Sequence, residues 1–490
     1  MPSPSVPPSA EGGDGPLDGS LDSAGPAVGR SHGARAQRPP GARPGAGRLT
    51  PGQPTGAARQ AQLRAHNLAV ALGAVVDAVE PLSRAGVAAT TGLARGTVSG
   101  LVDQLVAAGL VRELDPVLAQ RAGRPAVPLV PAGGTLAGLG LEVNVDYLGA
   151  RAVDLAGQVL VERVVRTDLR GSDPAEVMAR LAGIAAEVLA ELRFRAVRVA
   201  GTVLALPGLV DRVTGPLRVA PNLGWRDVDV VALAAVHPAL GGLRLGNEAN
   251  LAARAEAHAR RGAAAPSFVY VSGEVGIGGA LVLDGELFAG RHGWSGEIGH
   301  VVVDAGPPVR TLEAVAGQDA LLRAAGLPVT MGSGASAGGR GRVASPGMSP
   351  GVSTAVACPD SGERPGPRPS TALSDPSAGP LSALLAALAA GDRAAHEAVR
   401  AAGRALGVAL ASVTNVVDAG EVVLGGTFRT LFPQLHDEVA AGLADLVISA
   451  PWSPPRVSRA RVGEHAAMSG GALTALRRVL ADPTPWLRPS

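Results

Sequence analysis

The sequence predicts an α/β protein in which a small helical module precedes a larger region of strands and helices. Two observations support this fold class. Apolar residues recur at helical spacing from Leu68 to Val79 and again from Val98 to Val106. From Thr135 onward, apolar runs typical of buried strands alternate with helical patterns. Since the chain has 490 residues, we expect two or three domains.

The composition disfavours several classes of protein. Basic and acidic residues nearly cancel, at 44 against 42, so a nucleic-acid site would have to come from a local cluster of arginines. Aromatic residues make up 2% of the chain, which disfavours a stacking surface for single strands. The single Cys358 excludes a disulfide framework and a cysteine-rich zinc site, so we expect no bound metal.

No apolar run reaches the roughly 18 residues of a membrane span. The N-terminus also lacks the apolar core of a signal peptide. We therefore expect a cytoplasmic protein that contacts no membrane.

The N-terminal part of the chain is predicted to hold a disordered tail and a DNA-binding module. Residues 1–57 are rich in Pro, Gly, Ser and Arg and cannot bury enough apolar surface to fold. Within 58–130 we predict three helices, with Ser83 capping the second and a short turn at Gly92 before the third. Followed by a predicted two-stranded hairpin, these helices form a winged helix-turn-helix.

The candidate DNA contacts lie on the third helix and at the tip of the hairpin. Arg95, Thr97 and Ser99 are on the outer face of the helix, free to reach base edges or phosphates. Arg121 and Arg124 are at the tip and suit phosphates or the minor groove. For the helices alone, a helical interaction module that binds no DNA is the alternative.

The most distinctive motif lies between Phe268 and Gly317. A predicted strand, a glycine-rich turn and a second strand precede Gly-Glu-Ile-Gly-His, residues 296–300. Glycines let backbone and polar side chains approach a ligand closely. Glu297 and His300 can together accept and donate hydrogen bonds to neighbouring hydroxyls, as a sugar requires. The alternative is that both side chains merely close a surface turn.

The Gly-Glu-x-Gly-His segment and the glycine turn before it resemble the ROK family, which contains sugar kinases and sugar-responsive transcriptional repressors. The resemblance implies that 135–490 forms two α/β lobes of the actin-like, ribonuclease-H-like type, with a sugar bound in the cleft between them. Residues 327–380 are rich in Gly, Ser and Pro and are predicted to be a flexible insertion. The family's cysteine-rich zinc module is missing after His300, but the glutamate that ends it remains as Glu313, which the resemblance implies is a sugar contact.

Two further segments resemble sugar contacts of this family. The loop from Val219 to Trp225 carries Asn222, whose counterpart meets a sugar hydroxyl. A role within its own turn is the alternative for Asn222. Residues 246–250, Gly-Asn-Glu-Ala-Asn, stand where the kinases have Asn-Asp-Ala-Asn with the aspartate as general base. The resemblance therefore places Asn247 and Glu248 at the sugar, with Glu248 at the position of the base.

Two departures from the kinase pattern argue against phosphoryl transfer. The family's phosphate-binding Asp-x-Gly-Gly-Thr is replaced by Glu-Val-Asn-Val-Asp at 142–146. Val145 stands where glycines would let backbone amides approach a phosphate. Glu248 is one methylene longer than aspartate, which displaces its carboxylate from the position of the base.

We therefore predict a sugar-responsive DNA-binding transcriptional regulator, expected to be a repressor of carbohydrate metabolism genes. Its kinase-like domain would be a ligand sensor and not an enzyme. The expected partners are a double-stranded DNA operator and a sugar or sugar derivative, with no cofactor, and a homodimer or homotetramer at the nucleoid is expected. The alternative is a ROK sugar kinase with Glu248 as general base. A scaffold that binds neither DNA nor sugar is a third possibility.

Overall fold

The computed structural model describes residues 56–116, 126–211, 215–262, 267–329 and 380–487. The predictions for the tail up to residue 55, for Arg121 and Arg124, and for 330–379 of the insertion lie outside the described residues. Within the part that is described, no helix has both the length and the apolar character needed to cross a bilayer.

The N-terminal module packs three helices against a small antiparallel sheet. In chain order its elements are α1 (Gly56–Val76), β1 (Leu82–Ser83), α2 (Arg84–Thr91), α3 (Arg95–Ala107), β2 (Val111–Glu113) and β3 (Pro128–Pro131). Helix α1 begins inside the predicted 1–57 tail. The sheet order is β1-β3-β2, so the predicted two-stranded hairpin has a third strand, which is only two residues long. The arrangement is compatible with a winged helix-turn-helix.

Local chemistry explains where these helices begin and end. The Ser83 hydroxyl accepts a hydrogen bond from the Gly86 amide at 3.1 Å and caps α2, as predicted. Gly92 ends α2 with φ of 72°, a left-handed conformation that glycine adopts without strain. Arg84 joins α2 to its neighbours through ion pairs with Asp103 at 2.7 Å and Glu113 at 2.8 Å.

The first lobe is a five-stranded sheet with helices on both faces and a small three-stranded sheet beside it. Asp173 caps its long helix by accepting hydrogen bonds from the amides of Ala175 and Glu176. The elements are β4 (Leu136–Val143), β5 (Tyr147–Asp154), β6 (Val159–Arg166), α4 (Pro174–Phe194), β7 (Arg198–Leu206), β8 (Leu209–Val210), β9 (Leu217–Ala220), β10 (Trp225–Val228), α5 (Val230–Ala235), β11 (Arg244–Asn247) and α6 (Glu248–Ala259).

The second lobe is built in the same way, and a last helix returns to the first lobe. The predicted break near Gly391 separates two of its helices, α9 and α10. The elements are β12 (Phe268–Gly273), β13 (Ile277–Leu283), β14 (Glu286–Phe288), β15 (Val302–Asp304), β16 (Arg310–Thr311), α7 (Leu312–Ala316), α8 (Gln318–Ala324), α9 (Pro380–Ala389), α10 (Arg393–Val417), β17 (Glu421–Gly425), α11 (Gly426–Thr430), α12 (Phe432–Leu446), β18 (Arg456–Arg459) and the returning α13 (Ala466–Ala481).

The main sheets of the two lobes share one topology. Their strand orders are β6-β5-β4-β7-β11 and β14-β13-β12-β17-β18. In each sheet three consecutive antiparallel strands are followed by two strands that pair in parallel with the first of them and with each other. This repetition confirms the predicted two-lobed α/β architecture.

Helix α13 packs on the first lobe with almost no side chains in between. A Cβ atom on Gly140 of β4 would lie 1.8 Å from the Met468 carbonyl oxygen, and one on Gly138 would lie 2.0 Å from that of Ala472. Glycine therefore lets the main chain of α13 touch the strand. Further along α13, Leu476 and Val479 enter the apolar core that α1, α2 and α3 share. The helix thus joins the N-terminal module to the first lobe.

Replacing Gly140 with alanine should strongly destabilise the protein, because the added methyl group has no room against the Met468 carbonyl. Overpacking of this kind costs about 1–3 kcal/mol, and more where main chain must move. The matched control is Gly183→Ala in α4, where nothing lies within 4 Å of the added carbon. This control should stabilise the helix by about 0.5–1 kcal/mol. Urea unfolding measures both, and equal stabilities would contradict the packing.

Candidate functional site: a carboxylate-lined cleft between the lobes

The Gly-Glu-Ile-Gly-His segment lies directly against strand β13. A Cβ atom on Gly299 would come within 2.4 Å of the Ile277 carbonyl oxygen, and Gly296 has φ of 98°. Only glycine fits these two positions without strain. They anchor a short 3-10 helix, Ile298–His300. The side chain of His300 in this helix and that of Glu297 just before it are exposed.

Glu313 and Asn222 meet over the glycine turn between β12 and β13. The Glu313 carboxylate accepts a hydrogen bond from the Ile277 amide at 2.8 Å. A Cβ atom on Gly276 would lie 2.6 Å from Glu313 Oε2 and 2.8 Å from Asn222 Nδ2. Two predicted sugar contacts from distant parts of the sequence therefore lie together on this turn.

Electrostatics joins Glu297, His300 and Glu313 into one cluster. Partial burial raises the pKa of Glu297, the His300 imidazole opposes that shift, and the Glu313 carboxylate adds to it. Carboxylate acceptors and an imidazole beside one another suit a ligand that carries several hydroxyl groups.

Glu248 and Asn247 stand at the N-terminus of α6, which begins at Glu248. Asn247 Oδ1 accepts a hydrogen bond from the Asn250 amide at 3.0 Å, and its Nδ2 donates to the Gly208 carbonyl at 3.0 Å. Because both ends of this side-chain amide are engaged, Asn247 positions the helix. Burial raises the pKa of Glu248 well above its ordinary value, and the carboxyl groups of Glu274 and Glu142, then Glu313 and Glu297, add to the shift.

Polar atoms in the first turn of α6 and in the loop after β14 are buried without a hydrogen-bond partner: Asn250 Oδ1, His292 Nδ1 and Trp294 Nε1. The His292 and Trp294 rings stack with centroids 4.7 Å apart, and Asn250 Nδ2 lies 3.5 Å from the Gly293 carbonyl oxygen. Buried polar atoms rarely lack partners in native proteins, so a polar ligand here would satisfy them. The sequence analysis did not single out these residues. Trp294, one of four tryptophans in a chain poor in aromatics, was the signal that could have indicated this group.

A cavity of about 340 Å³ continues from Glu248 between the lobes. Further carboxyl groups line it, among them Glu142 at the end of β4 and Glu274 after β12, and Asp146, Glu464, Arg166 and Arg429 also belong to its wall. The Glu142 side chain is 1% exposed, and Asn144 donates a hydrogen bond to Glu274. Glu142 and Asn144 belong to the segment that replaces the family's phosphate-binding loop, and the sequence analysis missed Glu274.

The pKa of Glu142 reflects this confinement. Burial, and next the Glu274 carboxyl group, raise the pKa of Glu142 to about 8, while hydrogen bonds with Tyr147 and Asn144 oppose the shift. Burial likewise raises the pKa of Glu274. Burial in the cleft therefore favours the neutral form of these two acids.

Among the residues that the structure describes, no three His, Cys, Asp or Glu side chains are arranged to hold a metal ion.

The predicted DNA contacts of α3 differ in solvent exposure and in whether they form hydrogen bonds within the protein. Arg95 and Thr97 are exposed in the first turn of the helix. Ser99 is half-buried, and both its carbonyl oxygen and its hydroxyl accept hydrogen bonds from Arg84, at 3.0 and 3.1 Å. Ser99 therefore helps to hold α2 on α3.

The two-lobed fold and its polar cleft define a protein of the sugar-kinase-like class. The model of the ROK family matches residues 138–338 and 368–478, which are more than half of the chain. The chain belongs to the ROK family.

Two relatives and one solved structure illustrate the range of similar proteins. The xylose repressor of Bacillus subtilis is 28% identical over 228 residues, which are 46% of this chain and 58% of the repressor. A glucokinase of Halalkalibacterium halodurans is 32% identical over 137 residues, 26% of this chain and 41% of the glucokinase. The chain thus spans little more than half the length of the repressor that it matches.

The solved structure is that of a ROK family transcriptional regulator, a homologue of the Escherichia coli MLC protein. It superposes with a TM-score of 0.61 and 22% identity, and it covers 86% of this chain and 97% of its own. At this identity the likeness concerns the fold.

The raised pKa of Glu142 predicts a stability that declines with pH. The folded protein binds the Glu142 proton more tightly than the unfolded chain, whose ordinary value is 4.5. The contribution is complete below that value and is lost as the pH rises through about 8. Between pH 6 and 9 the free energy of unfolding should fall, and Glu142→Gln, which stays neutral, should fall less steeply. Urea titrations measure both slopes.

The control for this experiment is Glu187→Gln on the exposed face of α4, which should keep the wild-type slope. A Glu142→Gln slope equal to that of the wild type would show that Glu142 titrates alike in the folded and unfolded protein.

Proposed function

We propose that this protein is a DNA-binding transcriptional repressor that responds to a sugar, with its kinase-like domain as the sensor. The observation that carries the proposal is one chain that joins a helical N-terminal module to a sugar-kinase-like fold with the buried acids Glu142 and Glu274 in its cleft. The similarity to a xylose repressor supports the same function.

We further propose that the N-terminal module is a winged helix-turn-helix. Residues 92–94 form the turn between α2 and α3, and β2 and β3 form the base of the wing. Arg95 and Thr97 stand in the first turn of α3, where recognition helices contact base edges. The proposal keeps Arg121 and Arg124, between β2 and β3, as contacts to phosphates or the minor groove.

The proposed sugar site consists of the carboxylate and imidazole cluster described above. Glu297, His300 and Glu313 would receive the hydroxyl groups, and Asn222 would donate to one of them. The unpaired polar atoms of Asn250 and Trp294 would be satisfied by the same ligand.

The alternative is a sugar kinase with Glu248 as general base, which the similarity to a glucokinase favours. A general base must be ionised to accept a proton, whereas the surroundings of Glu248 raise its pKa and favour the neutral form. Val145, which is 4% exposed, occupies the turn that would cradle a phosphate. The buried acids therefore support a sensor over an enzyme.

A homodimer or homotetramer at the nucleoid fits this function. A dimer reads two half-sites with its two recognition helices, so their spacing decides affinity. A sugar that binds one state of the cleft more tightly would shift the population of states and change that spacing. The operator, found by genome-wide mapping of bound sites, would identify the regulated genes.

For the DNA contacts we expect two different losses. Arg95→Ala should weaken binding to the mapped operator by about 1–3 kcal/mol and relax the preference at one base position. Arg124→Ala should weaken binding to all sequences and reduce the salt dependence, as expected for a phosphate contact. Mobility-shift titrations at several salt concentrations separate the two. The control, Arg180→Ala on exposed α4, should bind like the wild type, and an equal loss there would refute a specific interface.

For the sugar site we expect the reverse pattern. His300→Ala and Glu297→Ala should bind the operator normally without sugar but should no longer be released by it. Glu187→Ala on α4 serves as the carboxylate control. Operator titrations with and without a panel of pentoses and hexoses measure the response. A wild-type response in His300→Ala would place the sensor site elsewhere.

The protein should also lack sugar kinase activity. Incubation with ATP, magnesium and the same sugars should yield no sugar phosphate above the background of a protein-free reaction. Turnover on any one sugar that Glu248→Ala abolishes would establish the kinase alternative.

A further inference from the structure

A second cavity, of about 250 Å³, lies where α1 meets the first lobe. The C-terminal end of α1, helix α6, the β13–β14 hairpin and helix α13 enclose it. It is separate from the carboxylate-lined cleft, with which it shares no residue. Most of its wall is apolar and consists of Val76, Leu155, Ala257, Val282, Leu287, Leu473, Leu476 and Leu480.

Among the described residues, one arginine in this cavity has neither a hydrogen-bond nor an ion-pair partner. The Nε atom of Arg254 on α6 is buried without a hydrogen-bond acceptor. No hydrogen bond or ion pair of this side chain is found within the described ranges. Burial lowers the pKa of Arg254, and the nearby charge of Arg477 adds to that shift, while Glu286 opposes it.

The other arginines that line the cavity are satisfied. Arg477 forms an ion pair with Glu286 at 2.8 Å. Arg261 donates to the Val76 carbonyl at 3.0 Å, at the end of α1, and lies 3.6 Å from Asp77. Arg254 is thus the lining arginine left for a ligand.

The unpaired Nε–H of Arg254 beside an apolar wall indicates which kind of ligand this cavity would bind. The residue is half-buried, and its buried Nε–H lacks an acceptor, which costs free energy. An anion that accepts from this nitrogen would gain a charge-assisted hydrogen bond. A carboxylate fits the two-pronged geometry of guanidinium, and leucine side chains favour a hydrocarbon body. The volume lies below the range of about 300–1,000 Å³ that is usual for drug-sized ligands, so the ligand is small.

We propose that this junction cavity binds a small apolar monocarboxylate, with its carboxylate on Arg254 and its hydrocarbon chain against the leucines of α13. The bound molecule would contact the end of α1 and the first lobe together. It would therefore stabilise the attachment of the N-terminal module. This inference does not depend on the proposed response to sugar.

Hexanoate is a suitable probe for the full chain. Calorimetric titration and thermal unfolding should show that hexanoate binds and raises the Tm. Hexanol, which matches its chain without the charge, and inorganic phosphate, which matches the charge without the chain, should have much weaker effects. If hexanoate does not bind, or if either control binds as tightly, the proposal is wrong.

Arg254→Met tests the position of the carboxylate. Affinity for hexanoate should drop by about 10- to 100-fold, the range expected for losing a hydrogen bond between charged groups. The control Arg180→Met, on the exposed face of α4, should bind hexanoate like the wild type. Unchanged affinity in Arg254→Met would overturn the proposal.

A measurement without ligand separates this role from a structural one. Methionine has similar length and no charge, so Arg254→Met should raise the Tm of the free protein by removing a buried N–H donor that has no acceptor. An arginine that merely supported the fold would have the opposite effect, and a lower Tm would contradict the proposal. The comparison of hexanoate with hexanol on the wild type does not depend on how the variant folds.

Discussion

The architecture depends on the direct contact between the main chain of α13 and that of the first lobe. Gly138 and Gly140 of β4 allow the helix to lie against the strand. On the other side of α13, Gly470 touches the main chain of α6. A Cβ atom on Gly470 would lie 1.8 Å from the Leu251 carbonyl oxygen. Interiors packed at crystal-like density cannot absorb an extra methyl group at such positions. The same helix then contributes Leu476 to the core of the N-terminal module. These glycines therefore allow α13 to pack on the first lobe, and α13 in turn packs against the N-terminal module.

The second organising feature is the convergence of carboxyl groups on the cleft. Each lobe presents acids at the ends of its strands and at the start of α6. Burial raises the pKa values of Glu142, Glu248 and Glu274, and neighbouring carboxyl groups add to each shift. A neutral carboxylic acid can both donate and accept a hydrogen bond, which suits the neutral hydroxylated ligand of the proposed function.

Local patterns predicted most helices and caps but not the contacts that tertiary structure creates. Ser83 caps its helix as expected, because capping depends on neighbouring residues only. Helix α13 runs through Gly470, which disfavours a helix locally but lies against the main chain of α6. The Gly-Glu-x-Gly-His segment was recognisable from its glycines. Glu274 was not, because its environment exists only once Asn144, 130 positions away, has come into contact.

The contacts of α13 also set the order of events during synthesis. Arg151 of β5 donates hydrogen bonds to the Ser469 hydroxyl at 2.7 Å and to the His465 carbonyl at 3.3 Å. Arg151 and His465 are 314 positions apart in the sequence. Until the ribosome has produced α13, β4 lacks the helix that covers one face, and the apolar side of the N-terminal module stays incomplete. Non-local pairings of this kind slow folding and leave apolar surface open to self-association.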